Sequence, residues 1–403
     1  MNFDVLIVGG GMVGASLACA LGNGALKVGL LDRSAPAPSP EHGYDLRVSA
    51  VTLASRAFLE NIGAWEGIAR RRVAPVEAMH VWDRNGHGSI HFDAAEIGAP
   101  CLAYIVENRV IQAALIERLN RLTNIHYLCP VDTAELALGV DRVSVALADG
   151  RRLHARLLVG ADGAESAVRR AAGIDTRSLD LDQKGIVATV TTERPHANIA
   201  RQRFLDTGPL AFLPLPDPRA CSIVWSADAR RADELLALDD AAFGVELECA
   251  IGGALGGIES IGPRAGFPLT LAHARAYTAP RVALAGDAAH TVHPLAGQGV
   301  NLGFLDAAAL AEVLLDADAA GKDIGAHAVL RRYERWRKGG NLAMVSLTGA
   351  FRYLFGNNLP GVRALRNLGL DLADSATPIR RFLMRRASGL EGDLPRLARA
   401  RAH

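Results

Sequence analysis

The sequence lacks the features that mark several large classes of protein. Its five cysteines are scattered and form no Cys-x-x-Cys pair, which excludes a disulfide framework and favours buried free thiols in a reducing compartment. No apolar run is long enough to span a bilayer, and no basic and apolar signal precedes the first predicted strand. The formal net charge is only +1, and no repeat or nucleic-acid-binding module occurs. We therefore expect a cytoplasmic protein that does not bind nucleic acid.

The chain is long enough for more than one hydrophobic core. At 403 residues it exceeds a typical single core, so we expect two lobes. Strand and helix patterns alternate up to about residue 66, as in an α/β domain. Short alternating runs with turn residues over residues 73–92 and 185–271 instead predict hairpins and an antiparallel sheet. The pattern indicates an α/β (α+β) protein with two kinds of sheet.

Glycines follow a short apolar run at the start of the chain. Residues 4–8 predict a buried strand, residues 9–14 have the spacing Gly-x-Gly-x-x-Gly, and residues 15–21 predict a helix. A second strand over residues 28–31 ends at Asp32, about 20 residues on, where an acid can bond a ribose hydroxyl. No second Gly-x-Gly-x-x-Gly occurs. The N-terminal unit is therefore predicted to bind one dinucleotide.

A second glycine-rich loop follows a predicted strand over residues 281–285. It starts with Gly286 and Asp287 and leads, through a Pro-x-x-Gly-Gln-Gly segment, into a long helix that we expect to end near Ala320. The unpaired N–H groups and partial positive charge at a helix N-terminus suit an anionic ligand. The electron-rich edge of a reduced flavin is such a ligand.

The same loop also has the spacing of a metal site, because Asp287, His290 and His293 are three residues apart. Metal-binding histidines are usually presented on regular elements with a further carboxylate nearby. Glycine and proline dominate this loop instead, which suits backbone contact with a planar ligand. We favour flavin, although the loop alone leaves both interpretations open.

Two polar positions between these loops have a structural explanation as well as a functional one. Arg47 lies in a predicted loop that enters a helix over residues 46–59, where it can contact a phosphate or flavin or cap the helix. Asp162 and Gly163 end a predicted strand, and a turn with Ser166 at a helix start explains them without a ligand. The other predicted elements are a helical pattern over residues 103–122 and strands over residues 124–131, 143–147 and 156–160.

The C-terminal region is basic and contains an apolar segment. Residues 331–403 carry fifteen Arg or Lys against five Asp or Glu, and residues 342–355 predict an unusually apolar helix. A basic, apolar helix can lie on an anionic membrane surface or clamp a partner. A C-terminal helix that packs on its own domain explains the pattern equally well.

Three segments, taken in order, resemble the single-component FAD-dependent aromatic hydroxylases typified by para-hydroxybenzoate hydroxylase: the glycines of residues 9–14, the Asp162-Gly163 turn and the Gly286-Asp287 loop. Longer segments are similar to the ubiquinone-biosynthesis hydroxylase family within that class. They are residues 47–50, 104–108, 212–216, 222–225, 293–303 with Asp306, and 365–370. The resemblance covers nearly the whole chain, and residues 286–306 are its most specific part.

The resemblance implies a Rossmann-like FAD-binding domain with an inserted antiparallel β-sheet substrate domain and a C-terminal helical tail. The FAD-binding domain would comprise residues 1–72, 100–178 and 272–330. The substrate domain would comprise residues 73–99 and 179–271, and residues 331–403 would form the tail.

The resemblance also implies which residues bind the adenosine diphosphate part of FAD. Asp32, with Arg33 beside it, would bind the adenosine ribose, and the backbone of Val131 would lie beside the adenine. Arg47 and Arg109 would reach the phosphate and ribityl region. The pyrophosphate would lie on the first loop, at Gly9, Gly11, Met12, Val13 and Gly14.

The flavin end of the cofactor would lie on the second loop. Asp287, which follows Gly286, would bond the ribityl chain. NAD(P)H would reduce the flavin from solvent, with the segment around Asp162 involved. The residues implied to lie against or beside the isoalloxazine are Pro294, Gly297, Gln298, Gly299, Val300 and Asn301.

The chemistry implied by the resemblance belongs largely to the cofactor. NAD(P)H reduces FAD, O2 adds to give a flavin hydroperoxide in a dry pocket, and its distal oxygen attacks a phenol-type ring. Such chemistry explains why no Ser-His-Asp or paired-carboxylate set stands out, and no catalytic residue or metal ligand is assigned. The oligomeric state stays open.

The substrate that we expect is a polyprenylated phenol or quinone precursor of ubiquinone. It is mostly membrane-borne, which would give the basic tail a purpose at the inner-membrane surface or in a biosynthetic complex. Two alternatives stay open: a hydroxylase of a small soluble phenol, and a non-catalytic member that holds FAD within such a complex. A flavin halogenase is disfavoured because the Trp-x-Trp-x-Ile-Pro signature is absent.

Overall fold

The computed structural model describes residues 1–22, 24–38, 43–84, 88–292, 299–355 and 376–400. Several predictions fall elsewhere in the chain and lie outside the described residues. They concern Pro294, Gly297 and Gln298, the metal alternative at His293, the hairpin turn at residues 85–87, and residues 365–370.

The strands form three sheets. In chain order they are β1 (Asn2–Val8), β2 (Val28–Leu31), β3 (Val48–Thr52), β4 (Ala74–Val76), β5 (Ala78–Asp83), β6 (Ser89–Asp93), β7 (Ala103–Glu107), β8 (Ile125–Leu128), β9 (Thr133–Leu138), β10 (Val143–Leu147), β11 (Arg152–Gly160), β12 (Thr176–Thr192), β13 (Ile199–Leu205), β14 (Gly208–Pro214), β15 (Ala220–Asp228), β16 (Ile258–Ile261), β17 (Ala265–Ala274), β18 (Thr278–Ala279), β19 (Val282–Leu284) and β20 (His290–Thr291).

The described α-helices pack around these sheets. In chain order they are α1 (Met12–Leu21), α2 (Leu53–Asn61), α3 (Trp65–Ala69), α4 (Asn108–Leu119), α5 (Ala167–Ala171), α6 (Ala229–Ala237), α7 (Asp240–Ile251), α8 (Gly299–Ala319), α9 (His327–Phe355) and α10 (Thr377–Ala387). Short 3-10 helices cover Ala94–Ile97, Gly286–Ala288 and Arg396–Ala398.

The first sheet has a parallel centre. Its strand order is β18-β19-β11-β1-β2-β8, and β1, β2, β8, β11 and β19 are parallel. The central strands are apolar on both faces, as a parallel sheet covered by helices requires. Helix α1 packs against α4 and α8 on this sheet. This arrangement is the Rossmann-like α/β half that the sequence predicts, and it brings the ends of β1 and β19 together.

The second sheet is largely antiparallel. Its strand order is β20-β17-β12-β15-β14-β13-β5-β6, with one parallel pair, β5 with β13. One face packs on α6 and α7 around a core that includes Trp225 and Phe243. The other face is open toward the first sheet. The predicted mixed α/β fold with an antiparallel second sheet is confirmed.

The strands, helix and turns predicted from the sequence agree with the structure where the apolar pattern is long or is bounded by glycine. The predicted strands at residues 4–8, 28–31 and 143–147 correspond to β1, β2 and β10. The predicted hairpin is the antiparallel pair β5 and β6, and the long helix after the second loop ends at Ala319. The predicted turn at Asp162 leads into α5, with Ser166 as its N-cap.

Two predicted elements are wrong at their starts. Residues 48–52 form β3 and not a loop, and residues 103–107 form β7 and not the first part of a helix, which begins only at Asn108. These two segments pair with each other, with Ala50 opposite Ile105. Pairing between distant segments therefore overrides the local pattern.

The inserted region also differs from the prediction. Strand β12 runs for 17 residues, whereas short strands are predicted there, and α6 and α7 lie within residues predicted to be strand or loop. The five cysteines are free thiols, as predicted. The prediction that all are buried is wrong for Cys249, which is exposed, and for Cys129, which is half-buried.

Candidate active site

The first loop, residues 9–14, joins β1 to α1 and is held by close backbone contacts. Gly9 has a φ of +105°, and a Cβ on Gly9 would lie 2.2 Å from the carbonyl oxygen of Ala161. A Cβ on Gly14 would lie 1.9 Å from the carbonyl oxygen of Gly9, and one on Gly10 would lie 2.5 Å from Oδ2 of Asp32. A side chain at Gly9 or Gly14 would have to displace backbone, and one at Gly10 would have to displace the side chain of Asp32.

The end of this loop is open to a ligand. Gly11 is the N-cap of α1, no side chain caps the helix, and a Cβ on Gly11 would meet no atom within 4 Å. Gly11, Met12 and Val13 line a cavity. The N–H groups of the first turn of α1 are therefore available to an anionic group such as a pyrophosphate.

Asp32 lies beside the first loop at the end of β2. Its carbonyl oxygen accepts a hydrogen bond from the backbone N–H of Val131 at 2.8 Å, so the two predicted adenosine contacts lie together. Arg33 points away and forms an exposed ion pair with Asp132, at 2.9 Å from Nε to Oδ1. The structure thus brings Asp32 and Val131 to the first loop and leaves the Arg33 side chain at the surface.

The two predicted arginines have different surroundings. Arg47 lines the cavity, and its guanidinium lies 5.3 Å from the ring centre of Phe267. Arg109 pairs with Asp45, at 3.4 Å from Nε to Oδ1, and its Nη1 donates to the carbonyl of Pro38 at 3.2 Å. Arg109 therefore holds the segment before β3 against α4, whereas Arg47 faces the cavity, where a ligand can bind.

The second loop starts in a tight turn at the end of β19. Gly286 has a φ of +62°, and a Cβ there would lie 3.1 Å from Cγ2 of Val13. A Cβ on Gly303 of α8 would lie 2.5 Å from the same atom. Val13 of the first loop therefore packs into a space that glycines leave open, and this contact sets the spacing of the two loops.

Asp287 faces the cavity from this turn. It lies deep in the fold, yet its side chain reaches the open cavity and is solvent-accessible. Burial among protein atoms raises the pKa of Asp287, and the charges of His290 and Arg47 partly offset that effect. A carboxylate that is accessible only from the cavity is suited to accept a hydrogen bond from a hydroxyl-bearing chain such as ribityl.

A second carboxylate, Asp306 of α8, is completely buried behind the turn. Its Oδ2 accepts from Nε2 of His290 at 2.5 Å and from the N–H of Gly286 at 3.2 Å. Its Oδ1 accepts from Nε of Arg337 at 2.8 Å and from Nδ2 of Asn341 at 2.9 Å. We call Asp306, His290, Arg337 and Asn341 the buried carboxylate cluster. The cluster joins α8, β20 and α9 to the backbone of the turn that carries Asp287.

Asp306 and Asp287 differ in the positive charges and hydrogen-bond donors around their carboxylates. Burial alone would raise the pKa of Asp306, but the charges of His290 and Arg337, with their hydrogen bonds, outweigh it and lower the pKa to about 2. Asp306 is therefore ionised at neutral pH. Asp287 has no comparable set of donors, which leaves its carboxylate available for a ligand.

The N-terminus of α8 borders the cavity with Gly299 and Val300. Asn301 does not line it and instead binds β3, accepting from the N–H of Thr52 at 3.0 Å and donating to the carbonyl of Ala50 at 2.8 Å. The 21-residue helix therefore points its partial positive end at the cavity, and Asn301 fixes that end against β3 of the third sheet, whose strand order is β3-β7-β4.

Asp162 has a structural task. Its Oδ2 accepts from the N–H groups of Ala167 at 2.7 Å and Val168 at 3.2 Å, and its Oδ1 accepts from Oγ of Ser166 at 2.6 Å. Both oxygens thus serve the start of α5, which is the helix-start explanation of this turn. A role of this segment in NAD(P)H reduction stays a prediction.

The cavity between the loops and the second sheet has a volume of 440 Å³. Its lining combines Gly11, Val13 and Asp287 with residues of both sheets, among them Val187 and Leu213. The site combines glycine positions where a Cβ would not fit, a helix N-terminus without a side-chain cap and a carboxylate that faces the cavity. This combination suits a cofactor that has phosphates, a polyol chain and a flat ring. These residues fit FAD.

The metal alternative requires His290 as a ligand. In the structure His290 is buried and its Nε2 bonds to Asp306, while Asp287 points into the cavity. Across the described residues there is no group of three His, Cys, Asp or Glu side chains that could hold a metal ion.

The sequence prediction missed the buried carboxylate cluster as part of the site. Its signal is faint: Asp306 is an acid in a strongly apolar helix, and Arg337 and Asn341 are four residues apart and so share one face of α9. Gln112, whose Nε2 donates to the carbonyl of Gly10 at 3.4 Å, gives no signal of its own in the sequence.

Comparison with known proteins agrees with this geometry. The family described as FAD binding domain matches residues 2–346. Ubiquinone hydroxylase UbiL of Rhodospirillum rubrum is 42% identical over 399 residues, covering 98% of this chain and 92% of that protein. The 3-demethoxyubiquinol 3-hydroxylase of Escherichia coli is 38% identical over 389 residues, covering 96% of this chain and 98% of that protein.

The fold is also that of a solved monooxygenase. The structure of p-nitrophenol 4-monooxygenase PnpA from Pseudomonas putida superposes with a TM-score of 0.79 at 22% identity, covering 97% of this chain and 99% of that one. The predicted cofactor, FAD, and the predicted enzyme class, a flavin-dependent aromatic hydroxylase, are confirmed. The chain belongs to the FAD-dependent ubiquinone-biosynthesis hydroxylases within the FAD binding domain family.

Proposed function

We propose that this enzyme hydroxylates the aromatic ring of a polyprenylated ubiquinone precursor, using FAD, NAD(P)H and O2. The observation that carries the proposal is the cavity, which has the two glycine loops on one side and the apolar face of the second sheet on the other. A ring held on that face would lie against the flavin. The names of the two relatives, a ubiquinone hydroxylase and a demethoxyubiquinol hydroxylase, support this substrate class.

The residues that would hold FAD follow from their surroundings. The pyrophosphate would bind the free N–H groups of the first turn of α1, and Asp32 would bind the adenosine ribose next to the backbone of Val131. Asp287 would accept from the ribityl hydroxyls. Gly299 and Val300 would present backbone to the isoalloxazine. The division into an FAD-binding domain, an inserted substrate domain and a tail, at the boundaries predicted from the sequence, is part of this proposal.

When bound, FAD supplies the redox chemistry that takes a hydride from NAD(P)H and passes one oxygen atom of O2 to the ring. The protein itself would position the flavin and the ring, exclude water from the reacting atoms and stabilise the charge that develops there. The N-terminus of α8 would stabilise negative charge at the flavin edge, and the apolar sheet face would keep water from the reacting atoms. Arg47 and Asp287 are the charged side chains among the described residues of the lining, and we assign neither as a catalytic base.

We also propose that the C-terminal region contacts an anionic membrane surface. Helix α10 exposes Ile379, Phe382 and Leu383 at helical spacing, with exposed arginines beside them. Its other side packs on the protein, where Met384 is buried and Nη2 of Arg380 lies 2.9 Å from Oε2 of Glu96. None of the described helices is long and apolar enough to cross a membrane. Contact through one face of a surface helix would suit a membrane-borne substrate.

Vesicle binding tests the membrane proposal. Full-length protein should sediment with vesicles that contain phosphatidylglycerol and much less with pure phosphatidylcholine vesicles, because exposed arginines favour anionic lipid. Phe382→Ser should weaken the binding, whereas Val245→Ser should leave it unchanged, since Val245 is also exposed but lies on α7. Equal binding by wild type to both vesicle types, or no effect of Phe382→Ser, would reject the proposal.

Substrate-dependent oxidation of NADPH tests the catalytic proposal. The FAD-loaded protein should oxidise NADPH with a short-chain prenylated methoxyphenol, and mass analysis should find one added oxygen in the product. Turnover of 4-hydroxybenzoate instead would favour the small-phenol alternative, and no turnover with any ring would favour the non-catalytic one. In cells, deletion of the gene should cause an unhydroxylated quinone intermediate to accumulate, and an unaltered quinone profile would reject the biosynthetic assignment.

A further inference from the structure

The second sheet has two faces of different character. On β12, β14 and β15 the side chains of Ile186, Phe212 and Trp225 belong to the core under α6 and α7. Their sequence neighbours alternate to the opposite face, as in any strand. The residues of that opposite face that line the cavity include Val187, Gln202, Ala211, Leu213, Ser222 and Val224. We call this face the cavity wall.

Gln202 stands out on the cavity wall. Its partner on β14 is Ala211, and the row continues across the sheet through Val224 and Val187. Gln202 is the polar residue in this row of small and apolar side chains. The side chain of Gln202 is only 6% exposed. A buried amide has two N–H donors and an acceptor oxygen, and leaving them unpaired costs free energy.

No hydrogen bond joins the side-chain amide of Gln202 to the part of the chain that the structure describes, in contrast to Gln183 of the same sheet. Gln183 is buried to the same degree and donates from Nε2 to the carbonyl of Thr207 at 2.7 Å, although its Oε1 has no partner within that part of the chain. Gln183 does not line the cavity, and Gln202 does. An unpaired buried amide that faces a cavity is suited to a ligand that supplies its partner.

The charges around the wall restrict that ligand. None of the cavity-wall residues named above carries a charge, and Arg47, the cationic side chain of the described lining, is stacked on Phe267 next to the flavin loops. A ring with a carboxylate would lose hydration on this wall and would meet only the neutral donors of Gln202 and of serines, with no cationic side chain among the wall residues to compensate. A neutral ring with a hydroxyl, methoxy or keto oxygen would gain a hydrogen bond from the amide and apolar contact from the rest of the wall.

We propose that Gln202 is a specificity-determining residue that hydrogen-bonds a ring oxygen of a neutral aromatic substrate. Ala211 leaves room for the amide to approach the ring, and Val187, Leu213 and Val224 contact its apolar parts. This inference rests on the proposed function and adds the ring chemistry that the wall selects: neutral, oxygen-substituted and without a carboxylate.

The test compares two ligands in wild type and two variants. The ligands are 2-prenylphenol and prenylbenzene, which differ only in the ring oxygen, and binding to the FAD-loaded, full-length protein is measured by the change in flavin absorbance. Gln202→Leu should weaken binding of 2-prenylphenol by about tenfold, the effect of one lost hydrogen bond with an unpaired partner. Binding of prenylbenzene should be unchanged or tighter. With a substrate that turns over, KM should rise while kcat changes little.

Gln183→Leu is the matched control. It removes a buried glutamine of the same sheet that is bonded within the protein, so it should lower the stability of the fold and leave the affinity for 2-prenylphenol unchanged. Gln202→Leu should leave stability unchanged, because its amide has no partner to lose among the described residues. If Gln202→Leu does not retain FAD, Gln202→Met keeps the length of the side chain, removes both the donors and the acceptor, and should weaken 2-prenylphenol binding in the same direction.

The outcomes separate this inference from the proposed function. Equal loss of affinity for both ligands, or none for either, overturns the role of Gln202, while turnover of prenylated rings by wild type would still support the function. Binding of 4-hydroxybenzoate more tightly than 2-prenylphenol by wild type overturns the neutral-ring specificity. Tight, Gln202-dependent binding of 2-prenylphenol without any turnover would instead support the subsite and reject the catalytic proposal.

Discussion

The two glycine loops that border the cofactor site are held in place by different interactions. The first loop, residues 9–14, is fixed by close packing, because Gly9 and Gly14 leave no space for a Cβ next to neighbouring backbone. The turn at Gly286 is fixed by electrostatics, because its N–H bonds to Asp306 and the buried carboxylate cluster ties that residue to α9. Val13 joins the two by packing between Gly286 and Gly303.

The two loops should therefore respond differently to substitution. The first loop, which is fixed by packing, should lose its structure when a larger side chain replaces a glycine, and this effect should not depend on pH. A turn held by a buried carboxylate also fails when that charge is removed, because the groups paired with it stay buried without compensation. Substitutions in the two loops can test that contrast, and the largest effect is expected in the first loop.

Gly14→Ala should have the largest effect. The new Cβ would lie 1.9 Å from the carbonyl oxygen of Gly9, so the strand and helix would have to separate, at a cost of roughly 4 kcal/mol or more. Urea unfolding and FAD content of the purified protein measure it. Gly11→Ala is the control: its Cβ meets no protein atom within 4 Å, so the protein should fold normally and bind FAD more weakly. A normally stable Gly14→Ala would contradict the steric account.

Asp306→Ala should destabilise the fold by about 3–5 kcal/mol, because Arg337 would stay buried without its partner. Chemical unfolding measures the loss. Asp132→Ala removes one side of the exposed pair with Arg33 and should change stability by less than about 1 kcal/mol. Similar effects of the two substitutions would show that the second loop does not depend on the cluster.

Acid should weaken the second loop selectively. The pKa of Asp306 is lowered to about 2 from an ordinary value of 3.8, so its stabilisation is fully present above pH 3.8 and is lost as the pH falls through 2. The difference is worth roughly 2 to 3 kcal/mol at neutral pH, at about 1.4 kcal/mol per pKa unit. Unfolding of wild type and Asp306→Asn should therefore differ less at pH 2 than at pH 6. A constant difference between the two proteins across this range would argue against an ionised Asp306.

Asp287→Asn should reduce the affinity for FAD by about tenfold, because a neutral amide is a weaker acceptor for ribityl hydroxyls than a carboxylate. Titration of the apoprotein with FAD, followed by flavin fluorescence, measures it. The fold should be no less stable, since burial raises the pKa of Asp287 and an amide removes the cost of burying a charge. Unchanged affinity would remove Asp287 from the ribityl site.

Arg33→Ala should have the smallest effect. The side chain is 80% exposed and its ion pair with Asp132 is a surface pair, so stability should change by less than about 0.5 kcal/mol. FAD titration should give an affinity within about twofold of wild type. A tenfold loss would restore Arg33 to the cofactor site as the resemblance implies.

The candidate site could be predicted from the sequence where the signal is local. The sequence of strand, glycines and helix at both loops specifies backbone geometry within about ten residues, so Gly9, Gly14, Gly286 and Asp287 could be identified from the amino-acid sequence alone. Asp162 shows the limit of such local signals. The same local pattern fits a ligand site and a helix cap, and in the structure both of its carboxylate oxygens are used by α5.

The parallel α/β half and the positions of its two loops could be predicted from the amino-acid sequence, because apolar runs, glycine spacing and helix periodicity act between near neighbours. That residues 103–107 form a strand depends on tertiary contacts, since their partner β3 lies about 50 residues away in the chain. Tertiary contacts also assemble the buried carboxylate cluster and aim Gln202 into the cavity. Each depends on contacts between segments far apart in the chain, which no local pattern encodes.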